Sequence, residues 1–202
     1  MDIEFGKEAL KNGSSYVSRK LDLSFLRSYF NIDNTYVYKK SLMIIFPYIF
    51  NWEDDSTNRP DLYIPIMSFF TYILVKGMYY GIQNCFTPEK IGFIFSRLVF
   101  LEMIFIAVVK GLAYFMNINL KVLDMVCYSG YKYFTILILQ LIPRIRFISF
   151  LITLYSYISF FFFLSRSLKN SFLNEFTSDR NKKIYFIFGF VSMQIGFVFI
   201  FS

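Results

Sequence analysis

From residue 61 onward the chain alternates long apolar runs with short polar joints, whereas the first sixty residues mix apolar and charged positions. A helix crossing the hydrocarbon core of a bilayer needs about 20 mostly apolar residues. Five stretches have that character, at about 64–82, 91–115, 122–142, 147–164 and 184–201. The pattern predicts an all-α fold: a polytopic membrane protein, with a cytosolic N-terminal head and linker (1–60) followed by a five-transmembrane-helix bundle (61–202). The joints are too short to hold a separate lumenal domain.

Within the head, Leu21, Leu23, Leu26, Tyr29 and Phe30 have the spacing of an amphipathic helix, started by Asp22 or Ser24. A turn is expected at 31–35. The second apolar stretch, 41–50, contains Pro47 and is too short to span, which suits an interfacial or partly buried segment. A polar linker with Glu53, Asp54 and Asp55 leads into Arg59-Pro60-Asp61-Leu62-Tyr63-Ile64-Pro65. There Asp61 can cap a helix start, Pro65 is tolerated in a first turn, and Tyr63 suits the membrane interface.

Composition sharpens this reading, because 56% of the residues are hydrophobic against about 45–50% in soluble domains. The chain has no histidine, which excludes Ser-His-Asp and Cys-His catalysis and histidine-ligated metals. No Gly-rich phosphate loop, nucleophile elbow or metal-ligand cluster is present, so the reading is non-enzymatic, with no catalytic residue, cofactor or metal. Cys85 and Cys127 are too few and too far apart for a disulfide framework and read as structural.

Lys and Arg distribution sets orientation. With a cytosolic amino terminus, fourteen basic residues fall on the cytosolic side and only Lys90, Arg144 and Arg146 on the other. The C-terminus is then lumenal. Residues 1–10 carry Asp2, Glu4, Lys7 and Glu8 and lack the form of a cleaved signal peptide, so targeting is expected from the first span. The net charge of +7 does not point to nucleic acid, since the head's eight bases are met by nine acids, counting Asp61 at the junction, and the excess lies in the fourth connection and the spans. That excess faces the lipid bilayer and its anionic headgroups.

Six ionisable residues fall inside the spans: Lys76, Arg97, Glu102, Lys110, Asp124 and Lys132. Each costs about 2.5–3.5 kcal/mol near a helix centre unless it is paired or snorkels. With alternating helix direction, Glu102 and Lys132 reach the same depth near mid-membrane, and Lys110 and Asp124 lie together near the cytosolic side. Two intramembrane ion pairs are therefore expected, Glu102 with Lys132 and Lys110 with Asp124, while Lys76 and Arg97 are expected to snorkel. Gly77-Met-Tyr-Tyr-Gly81 and Ser192-Met-Gln-Ile-Gly196 match the small-xxx-small pattern of close helix contacts. The aromatic run 160–163 reads as lipid-facing bulk.

Several segments in order resemble the YIF branch of the YIP family of Rab-interacting membrane proteins. They are Gly6-Lys7-Glu8, Tyr16-Val17-Ser18, Leu26-Arg27-Ser28-Tyr29-Phe30-Asn31-Ile32-Asp33-Asn34-Thr35-Tyr36-Val37, Phe46-Pro47-Tyr48 with Trp52, Pro60-Asp61-Leu62-Tyr63-Ile64-Pro65, Phe86-Thr87-Pro88-Glu89 and Tyr128-Ser129-Gly130-Tyr131-Lys132-Tyr133. The Asp-Leu-Tyr-x-Pro and Gly-Tyr elements are those of the wider YIP family, and Arg59 departs from the alanine expected there. The resemblance implies a five-span protein of endoplasmic reticulum and Golgi membranes. It also implies a hetero-oligomer with a sibling YIP-family protein, contact with prenylated Rab GTPases, and a part in vesicle-mediated transport between the two compartments. Asp61, Leu62, Tyr63, Pro65, Gly130 and Tyr131 are the family-motif and candidate partner-binding residues. The alternative is a small membrane carrier or lipid-handling protein that uses the intramembrane charges.

Overall fold

The structure, a computed structural model, describes residues 28–50, 52, 59–118, 120–142, 146–173 and 180–201. The helix expected over 21–30 lies almost wholly outside the described residues, as does most of the linker at 51–60. Two compact units divide at Asn31. In the first, residues 28–30 are helical. The second, from Ile32 onward, contains α1 (Asn34–Ile45), α2 (Tyr63–Ile82), α3 (Pro88–Phe115), α4 (Val122–Leu141), α5 (Arg146–Leu173) and α6 (Arg180–Phe201). The described residues are helical or in turns, with no strand among them.

Among the described residues, four helices are long and apolar enough to cross a membrane, namely α3, α4, α5 and α6. α2 is 20 residues long but is diluted by Tyr63, Tyr72, Tyr79, Tyr80 and Lys76. It is not among these four. α2 and α3 end alike: Asn84 and Asn117 take left-handed φ values of 55° and 56°. The next N–H groups then reach back to Tyr80 and Ala113 carbonyls at 3.0 and 2.9 Å. Asparagine tolerates that conformation, and the bonds close the last helical turn.

α4 is the hub. More than half of its apolar window is buried (56%), against 11% for α3. It packs on α2, α3, α5 and α6, with α2·α4 and α5·α6 the most extensive pairings. Along α2, Asp61 meets Tyr131, Pro65 meets Gly130 and Phe69 meets Tyr133, so the first half of α2 packs against the middle of α4. α5 and α6 run antiparallel, with Phe161 against Phe188 and Tyr157 against Phe199.

Two expectations change. The aromatic run 160–163 is not uniformly lipid-facing: Phe160 and Phe163 are fully buried while Phe162 is exposed. Four consecutive helical residues turn through the whole circumference, so a run of this kind cannot share one face. α5 also continues past the apolar stretch to Leu173, nine residues beyond the expected end, because Ser167 and Leu168 still face the core and Asn170 bonds to Trp52. In the Gly77-Met-Tyr-Tyr-Gly81 motif, Gly77 faces Ile91 within the chain at 3.4 Å, whereas Gly81 and Gly196 have open space.

Candidate functional site

Asp61 precedes α2, and its Oδ1 accepts the Ile64 N–H at 3.0 Å, closing the first turn of that helix. Pro65 lies in the same turn, where its missing N–H is no loss. The other carboxylate oxygen turns inward. Oδ2 accepts the Tyr131 hydroxyl from α4 at 2.5 Å, and that hydroxyl in turn accepts the Asp61 N–H at 3.2 Å.

Lys40 of α1 closes the group. Its Nζ stands 3.1 Å from Asp61 Oδ2 and also donates to the Tyr36 hydroxyl at 2.8 Å and to the Arg59 carbonyl at 2.5 Å. An ammonium has three N–H bonds, and all three are used. Tyr36, one turn earlier on the same helix face, places its hydroxyl 3.0 Å from the Arg59 carbonyl and 3.2 Å from Asp61 Oδ2. Lys40 also sits 5.2 Å from the centres of both the Tyr36 and the Tyr131 rings. Lys40 is wholly buried and Asp61 nearly so. Burial pushes the Lys40 ammonium below the ordinary lysine range and the Asp61 carboxylate pulls it back up. For the Tyr36 phenol, burial and then Asp61 both push upward.

Gly130 stands beside this knot. A Cβ there would fall on the Pro65 ring, with the Pro65 Cα only 3.4 Å away. Glycine is what allows α2 and α4 to approach so closely. Leu62 and Tyr131 are buried, and of the six motif residues only Tyr63, 36% exposed, offers appreciable surface. The structure thus gathers Asp61, Leu62, Pro65, Gly130 and Tyr131 into one helix junction rather than onto an exposed face.

Deeper in the bundle, Lys132 of α4 bonds to Glu102 Oε2 of α3 at 2.5 Å. The Tyr133 hydroxyl donates to the same oxygen at 3.2 Å, and the Phe197 ring of α6 lies 3.8 Å from the ammonium. Glu102 Oε1 is buried without a hydrogen-bond partner. Beside it a cavity of about 380 Å³ opens between α2, α3 and α4, lined by Pro65, Phe69, Phe95, Glu102, Ile106 and Gly130 among others. Lys110 donates to the Leu120 carbonyl at 2.7 Å. That carbonyl lies on the joint leading to α4, two residues before the helix that carries Asp124. Lys76 stacks over the Tyr72 ring at 5.5 Å.

Tyr36 and Lys40 carry much of the junction and escape notice in the chain, where Lys40 counts as one more cytosolic base. Their four-residue spacing is the signal that puts them on one face. Among the described residues no group of three or more His, Cys, Asp or Glu side chains is placed to hold a metal.

Apart from Lys40 and Arg59, the residues meeting at this junction come from the segments that resemble the YIF branch, and a sequence model of the YIF1 family matches residues 1–202. The chain belongs to the YIF1 family. It is 31% identical to Protein transport protein yif1 of Schizosaccharomyces pombe, over all of this chain and 81% of that protein. It is 38% identical to Protein YIF1B of Danio rerio over 64% of this chain and 48% of the relative. Protein YIF1A of the same fish is 34% identical over 81% and 58%. The chain therefore spans about half the length of the vertebrate relatives it matches and most of the yeast one. No solved structure matches this chain significantly. As a YIF1 protein with four strongly apolar helices, it is a multi-pass membrane protein.

Proposed function

We propose that this YIF1 protein is a non-enzymatic membrane adaptor in vesicle-mediated transport between the endoplasmic reticulum and the Golgi, acting in a complex with a sibling YIP-family protein and prenylated Rab GTPases. Membership of the family over the whole chain carries this reading, together with the words "protein transport" in the name of the Schizosaccharomyces pombe relative. α2 counts as the first of five spans because it is 20 residues long and packs against the middle of α4. The amino terminus is cytosolic by the positive-inside rule, and the C-terminus lumenal.

The chemistry of the junction agrees with an adaptor. Asp61, Lys40, Tyr36 and Tyr131 satisfy one another, which leaves no reactive group and no exchangeable ligand position. Their role is to hold α1, α2 and α4 in one arrangement, while Tyr63 carries the motif's exposed surface. A mild-detergent pull-down of the tagged chain tests this: wild type should recover a sibling YIP protein and Rab GTPases, and Tyr63→Ala should recover less of both while remaining folded. A chain that purifies alone in both forms overturns the adaptor reading.

The second reading, a small carrier or lipid-handling protein, draws on one observation. Glu102 Oε1 is buried without a partner beside the cavity between α2, α3 and α4. It requires that Glu102→Gln abolish transport in proteoliposomes while leaving partner recovery intact.

A further inference from the structure

We infer that α1 and the turn after it form a re-entrant hairpin, with Phe46, Tyr48 and Ile49 immersed in lipid acyl chains near the middle of the bilayer. The depth is read from α5. The apolar stretch of that helix runs 147–164, so Tyr155 lies at its centre and Ser159 one turn further on. Ser159 Oγ stands 2.8 Å from the Ile44 carbonyl and 2.7 Å from the Ile45 carbonyl, and the Tyr155 hydroxyl donates to Ile45 at 2.9 Å. Phe46 packs its ring on Tyr155 at 6.2 Å. The end of α1 is thus fastened to the midpoint of a spanning helix.

The chain then climbs back. Tyr48 meets Phe162 edge to face, ring centres 5.0 Å apart, and Trp52 reaches Phe163 and Arg166. The Trp52 carbonyl accepts from Asn170 at 3.1 Å, six residues beyond the end of the apolar stretch. From Ser159 to Asn170 is a rise of about 16 Å at about 1.5 Å per residue, roughly half the hydrocarbon thickness of about 30 Å. The hairpin enters and leaves on one side.

Backbone chemistry supports the same placement independently. The last carbonyls of a helix have no partner within it, and in water they are left to solvent. Here the Ile44 and Ile45 carbonyls are met by hydroxyls of α5, the Phe46 N–H returns to Leu42, and the Ile49 N–H bonds to Phe46. Pro47 has no N–H, and its carbonyl accepts the Trp52 indole at 3.0 Å. Irregular backbone is tolerated at membrane depth only when it is satisfied by protein in this way. The surface completes the case: Ile49 is 76% exposed and Tyr48 54%, an apolar tip suited to hydrocarbon.

The test uses the full chain in liposomes. Trp52 is the chain's only tryptophan, so the pair Trp52→Phe with Ile49→Trp moves the single fluorophore to the tip. Phosphatidylcholine brominated at deep acyl carbons should quench this variant more than phosphatidylcholine brominated at shallow ones, and aqueous iodide should not quench it. Iodide quenching, or no response to either quencher, overturns the placement, the first indicating water and the second a protein cover. Should the tryptophan pair fail to fold, Ile49→Cys on a Cys85→Ser background serves instead, Cys127 being buried. The tip cysteine should react with an impermeant maleimide only after detergent is added. Labelling in intact liposomes, at the rate of Cys85 in the parent protein, refutes it.

Discussion

Lys40 is the residue on which the junction is most sharply balanced. A wholly buried ammonium is tolerable only while Asp61, the Tyr36 hydroxyl and the Arg59 carbonyl take its three protons. Removing one partner of such a pair leaves a buried charge and costs about 3–5 kcal/mol. Asp61→Ala is expected to lose stability on that scale in detergent unfolding, with part of the loss recovered when Lys40→Met is added. Gly130 is governed by volume instead. Gly130→Ala drives a methyl into the Pro65 ring, and overpacking of this kind costs about 1–3 kcal/mol. It should lower the unfolding midpoint without altering which partners are recovered by the surviving folded protein. At Glu102 and Lys132, single replacements should each reduce protein level, and exchanging the two residues should restore part of it. This pair was legible from helix direction and depth alone, because both residues sit near the middle of long helices. The Lys110 contact was not, since a backbone carbonyl on a connecting loop leaves no mark on side-chain pattern.

At the scale of elements, α1 depends on α5 for the end of its own hydrogen-bonding. The double change Ser159→Ala with Tyr155→Phe removes the hydroxyls that meet the Ile44 and Ile45 carbonyls, each unsatisfied group costing about 1–3 kcal/mol. Hydrogen exchange should accelerate in α1 while α4 stays protected; equal acceleration in both helices would show that the hydroxyls support the whole bundle instead. The length and Pro47 of the 41–50 stretch showed that it does not span. Its attachment to the centre of α5 was hidden, because Ser159 and Tyr155 read as ordinary polar residues of an apolar helix. Likewise the run 160–163 divides into buried and exposed rings only once the neighbours on each side of α5 are known.

For the whole molecule, topology is the open consequence of α2's mixed composition. A five-span chain with a cytosolic head places the loop between α2 and α3 in the lumen and the joint between α3 and α4 in the cytosol. A glycosylation acceptor inserted at 83–87 should be modified in microsomes, and one at 117–121 should not. The reverse pattern, with the head still cytosolic, would mean that α2 does not cross. The hub position of α4 argues for crossing: Pro65, Phe69 and Tyr72 of α2 pack against Gly130 and Tyr133 at the middle of that helix.

Hydropathy alone determined that the chain is helical and lies in a membrane, because the bilayer leaves few alternatives to a long apolar helix. Loop charge supplied only an expected orientation, and the ordered motif segments supplied the family. Only the tertiary structure decided what the motif residues do. Asp61, Pro65, Gly130 and Tyr131 lie up to 70 residues apart in the chain, yet they meet with Lys40 and Tyr36 in one buried junction. Burial, hydrogen-bond saturation and steric fit are properties of three helices packed together, and no single segment carries them.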